Sequence, residues 1–97
     1  MNILIDSKNN AYVEINPIRV SITNTFDCTR LYVSSENDNL NNQVTLLYRL
    51  TDERGIQSQG VATRGNIIMD GIDYTNWDGS NTFPFTFIAS KFGLSIS

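Results

Sequence analysis

The strongest constraint on this chain is a period of two. Val44, Leu46, Tyr48 and Leu50 alternate with Thr45, Arg49 and Thr51, and such alternation sets the apolar side chains on one face of a β-strand. The same period runs upstream. Ala11, Val13 and Ile15 alternate with Tyr12 and Glu14, and Ile18, Val20 and Ile22 alternate with Arg19, Ser21 and Thr23. Pro17 separates those two runs and has no N–H for a ladder, so it marks a break, a bulge or an edge. Leu31 and Val33 flank Tyr32 in a further strand. Ile3 to Ile5 is a short apolar run, closed by the turn-rich Asp6-Ser7-Lys8-Asn9-Asn10.

After the Val44–Thr51 strand, Asp52-Glu53-Arg54-Gly55 predicts a turn, with Ile56 to Thr63 returning as the second strand of a hairpin. Leu47 sits on the polar side and breaks the alternation. A second layer covers that face, or Leu47 contacts another chain. The stretch from Ser34 to Asn42 is the most loop-like and the one expected to move most, because Asn and Asp side chains bond their own backbone in place of a ladder. Asn66 to Met69 is a brief apolar run that reads as one more strand. From Asp70 to Asn81 turn residues alternate with large aromatics, and Asp73 is placed to cap a single helical turn carrying Tyr74 and Trp77 on one face.

The C-terminal segment carries two competing periods. Phe83, Phe85, Phe87 and Ala89 alternate as in a strand, while Phe85, Ile88 and Phe92 fall at helical spacing. Helix wins over about Thr82 to Phe92: Pro84 suits a first turn, and Lys91-Phe92-Gly93-Leu94 supplies the cation, glycine and apolar residue of a helix stop. Leu94 to Ile96 closes as a last short strand. The expected architecture is one domain over residues 1–97, mainly β, a two-layer antiparallel β-sandwich-like fold with one short C-terminal α-helix.

The chain has no histidine and a single cysteine, which removes most designs for hydrolysis, group transfer and zinc binding. Its acidic residues fall in turns or on outward strand positions, where no carboxylate pair is set across a cleft. Catalysis and cofactors are therefore not expected. Asp70, Asp73 and Asp78, or Glu36 and Asp38, lack the spacing of a calcium loop and read as turn and cap residues. The net charge of −3 opposes nucleic-acid binding. Arg49, Arg54 and Arg64 could converge on one side of a hairpin around a phosphate, but ordinary solvated charge accounts for them. Cys28 has no disulfide partner and reads as a small buried hydrophobe, with Asp27 beside it raising its thiol pKa. No signal peptide and no membrane span are expected. The neutral polar surface, with 18% charged residues, suits contact with other protein.

The runs Val44-Thr45-Leu46-Leu47-Tyr48-Arg49-Leu50, Glu53-Arg54-Gly55, Gly71 to Gly79, and Phe87-Ile88-Ala89-Ser90-Lys91-Phe92-Gly93-Leu94 resemble small structural proteins of tailed bacteriophage virions. The resemblance covers roughly the second half of the chain, and Phe92 stands where leucine is more usual before the glycine. It implies a non-enzymatic virion component, made in the bacterial host cytoplasm: an auxiliary or decorating capsid protein, or part of the neck or tail. Its partners would be major capsid, neck or tail proteins and further copies of itself, with neither nucleic acid nor membrane. The residues expected to make contacts are Ile3 and Ile5 in an unpaired terminal segment, Tyr32 and Leu47, with the loop from Ser34 to Asn42. A carbohydrate-binding module using Tyr74 and Trp77 is the alternative, although packing onto the sheet explains Trp77 as well. An accessory subunit of a bacterial complex is the third reading.

Overall fold

The computed structural model describes residues 2–18, 28–52, 64–77 and 79–97. Five strands form one antiparallel sheet in chain order: β1 (Leu4–Ile5), β2 (Ala11–Ile18), β3 (Cys28–Glu36), β4 (Gln43–Thr51) and β5 (Arg64–Asp70). Two helices follow, α1 (Gly71–Asn76) and α2 (Phe83–Phe92). Register is set by the alternation: Val13 faces Leu31, Leu31 faces Leu50, and Val44 faces Met69. These residues share the face that α2 covers, and with Ile15, Cys28, Leu46, Phe85 and Ile88 they form the core. Each buried side chain of this kind contributes about 1.5–3 kcal/mol relative to exposure.

The expected sandwich is corrected: among the described residues there is one open sheet and no second one. The reason is chemical. Opposite the core face, the cross-strand rows read Tyr12–Tyr32–Arg49–Arg64 and Glu14–Arg30–Thr51, leaving little apolar surface for a second sheet to bury. The layer on the core face is α2 instead, which buries Pro84, Phe85, Phe87, Ile88 and Ala89. Helical period thus overrides the alternating phenylalanines, as expected from the sequence. Gly93 ends the helix at φ 68, with the Leu94 N–H donating to the Ala89 carbonyl at 2.9 Å, the left-handed stop that glycine permits.

Several boundaries differ from expectation. Along Gln43–Arg49 the partners of β4 are β3 and β5, so the paired strand is the Asn66–Met69 run extended to Arg64–Asp70. The expected turn beyond Asp52, the return strand Ile56–Thr63 and the run Arg19–Thr23 lie outside the described residues. Ser34, Ser35 and Glu36 extend β3 and pair with Leu47, Leu46 and Thr45, which shortens the expected loop to residues 37–42. That loop is tied rather than bare: the Asn39 Oδ1 accepts the N–H groups of Asn41, Asn42 and Gln43. Asp70, not Asp73, precedes α1, and neither caps it through a side chain. The pairing of β2 with β3 shifts register between Glu14 and Ile18, across Pro17, where a ladder donor is missing.

The terminal segment is not unpaired. Leu4 and Ile5 lie opposite Tyr12 and Ala11. Farther along the same side of β2, Ile96 pairs with Ile15, the Asn16 N–H donates to Ser95 at 2.8 Å, and the Ser97 N–H donates to Glu14 at 3.0 Å. Two short segments in line therefore cover an edge that would otherwise template aggregation. No helix among the described residues is long and apolar enough to cross a membrane.

Candidate functional site

The two faces of the sheet each carry a concavity of about 300 Å³. On the face away from α2, Tyr12 and Tyr32 are cross-strand neighbours with ring centroids 5.2 Å apart. Arginines lie over both rings, Arg30 at 4.3 Å from the Tyr12 centroid and Arg49 at 4.2 Å from that of Tyr32. Period two produces this arrangement, because Val13, Leu31 and Leu50 turn inward while Tyr12, Arg30, Tyr32 and Arg49, one residue away along the same strands, turn outward. Cation–π contacts of this kind contribute about 0.5–1 kcal/mol at exposed sites.

Hydrogen bonds lock the assembly. The Tyr32 hydroxyl donates to Asp6 Oδ2 at 2.9 Å and accepts from Arg30 Nη1 at 3.3 Å. Asp6 Oδ1 accepts the backbone N–H groups of Lys8 and Asn10, both at 2.9 Å. The Asn10 N–H foremost, helped by the Tyr32 hydroxyl and the Lys8 N–H, holds the Asp6 carboxyl below its ordinary value of 3.8. Burial pushes the Tyr32 hydroxyl up, and its bond to Asp6 adds to that. Beside this cluster, Asn10, Ser34, Leu47 and Arg49 wall the open-face concavity around Tyr32.

The second concavity lies on the α2 side, between β1 and the start of α2, and is lined chiefly by Ile3, Ile5, Ala11, Trp77, Pro84 and Phe85. Trp77 is half-buried, and its Nε1–H donates to the Ser80 carbonyl at 2.9 Å. Tyr74 meets it edge-on, at 5.9 Å and 81°. The Tyr74 hydroxyl donates to Asp38 Oδ1 at 2.6 Å, tying α1 to the β3–β4 loop, and that bond raises its pKa.

The residues singled out from the sequence thus fall into two groups. Ile3, Ile5 and Trp77 share the groove, whereas Tyr32 and Leu47 line the opposite concavity. Tyr32 is only 4% exposed, so it serves as a platform inside its own chain rather than as a protruding contact. Tyr74 and Trp77 do not present one flat sugar-stacking surface, because their rings stand nearly perpendicular. Arg49 and Arg64 do converge, as direct cross-strand partners; Arg54 lies outside the described residues. The roles of Tyr12 and Arg30 were missed, although the outward positions Tyr12/Glu14 and Arg30/Tyr32 already spelled an aromatic and charged face. Among the described residues no group of three or more Asp, Glu, Cys or His comes together to hold a metal; Asp78 lies outside them.

Comparison with known families, curated proteins and solved structures finds no match to this chain.

Proposed function

We propose that this chain is a non-enzymatic assembly subunit that takes a partner's extended segment along β1 and an apolar side chain in the adjoining groove. The observation that carries the reading is the coincidence of an edge strand and an apolar hollow. β1 ends the sheet, Ile5 is 59% exposed, and both Ile5 and half-buried Trp77 line the groove. An edge offers backbone hydrogen bonds to an added strand, while alternate side chains fill pockets beside it. The resemblance to tailed-phage structural proteins supports a virion as the setting, with a capsid, neck or tail protein as partner. Modest contacts repeated over a lattice would add through multivalency.

The single tryptophan is a natural reporter. Purified capsid and tail proteins added to the chain should shift Trp77 emission to the blue and produce a larger sedimenting species, and Ile5→Asp should abolish both. An unchanged spectrum and sedimentation with every such partner would defeat the virion reading. The carbohydrate reading rests on Trp77 being half-exposed at a hollow. Quenching by oligosaccharides, retained in Ile5→Asp, would favour it; indifference to sugars would remove it.

A further inference from the structure

The sheet face turned away from α2 holds a pair of like charges that no ion pair among the described residues bridges. Arg49 and Arg64 are directly opposite each other on β4 and β5, an arrangement that costs stability when no anion lies between. Among the described residues neither is joined to a carboxylate by an ion pair. Asp6 acts on Arg49 only across space, because its oxygens are held by Lys8, Asn10 and Tyr32. Arg30 differs, since Glu14 stands across from it. The Tyr32 ring seats the Arg49 guanidinium without occupying an N–H donor, leaving its fork available for bidentate recognition. Next to it the concavity of about 300 Å³ is walled by Asn10, Ser34 and Leu47.

We infer that this concavity binds a carboxylate of an acidic peptide segment. Arg49, which lines the concavity, supplies the guanidinium fork, Arg64 adds charge from the adjoining position on β5, Asn10 and Ser34 supply neutral hydrogen bonds, and Leu47 takes the methylene stem. Two arginines in a chain of net charge −3 form no basic stripe for a phosphate backbone, so a peptide carboxylate is the better match than a nucleic-acid backbone. This site is independent of the groove, which opens on the other face.

The test is an NMR titration of the full-length ¹⁵N-labelled chain with a hexaglutamate peptide, a hexaglutamine peptide and inorganic phosphate. Hexaglutamate should shift the Arg49 Nε–H and the Asn10 and Ser34 amides saturably, and the affinity should fall at about 0.5 M salt. Arg64→Gln, at an exposed position, should weaken binding about tenfold. Arg49→Lys should do the same, because it keeps the charge and loses the fork. No saturable shift, equal binding of hexaglutamine, tighter binding of phosphate, or an unchanged affinity in Arg64→Gln would each overturn the assignment. Trp77 emission reports whether each variant is folded, and Arg64→Gln decides if Arg49→Lys is not.

Discussion

On the face beneath α2, Val13, Leu31, Val44, Leu46 and Met69 pack against Phe85 and Ile88 with almost no exposure. One residue along the same strands, Tyr12, Arg30, Tyr32 and Arg49 build a layer from rings, guanidinium groups and one carboxylate. The two faces thus share a backbone and differ in what stabilises them. Apolar burial is non-directional and cumulative; the open face depends on a few directed contacts that also present charge to a ligand. Among the described residues, α2 is the layer that covers the apolar face.

The largest effect is expected where α2 anchors the buried face. Ile88→Ala, at a fully buried position, should lower unfolding free energy in urea by about 2–5 kcal/mol; a loss under about 1 kcal/mol would shift the weight of the fold elsewhere. Tyr32→Phe keeps the ring under Arg49 and removes the bonds to Asp6 and Arg30, which should cost about 1 kcal/mol. It should also change the acid limb of stability. Asp6 is depressed in the fold, so its contribution is present above the unfolded pKa and lost as pH falls through the lower folded value. Melting temperatures between about pH 5 and pH 2 should therefore fall less steeply in Tyr32→Phe than in the parent.

Tyr74→Phe, which removes the bond to Asp38, should raise amide exchange across residues 37–42 while leaving the urea midpoint nearly unchanged. Thr29→Val should be neutral or slightly stabilising in the same urea assay, because the Thr29 hydroxyl is buried without a hydrogen-bond partner. A clear loss would mean that this hydroxyl has a bonding role.

The strands and α2 were legible because period and punctuation agree there: Val44–Leu50 alternates, and Pro84 and Gly93 bracket a helix. Layering was not legible, since alternation shows which residues share a face without showing what lies over it. The extent of the strand that pairs with β4 was obscured because Arg64-Gly65-Asn66 looks like loop. Gly65 nonetheless stands opposite Tyr48, and a Cβ there would come within 3.1 Å of the Tyr48 hydroxyl, so the ring replaces the missing side chain. Of the candidate contacts, the exposure of Ile5 followed from a short terminal strand. The burial of Tyr32 depended on Asp6 and Arg49, which are distant in sequence and meet only through register.

Adjacent leucines on β4 give the most direct test of the division between faces. Leu46 is fully buried under α2, and Leu47 is half-buried on the opposite side. Urea unfolding of Leu46→Ala should show a loss of about 2–5 kcal/mol, and that of Leu47→Ala a loss below about 1 kcal/mol. Equal losses in the two variants would mean that a second packed layer covers the open face, contradicting the division between a buried and an open face.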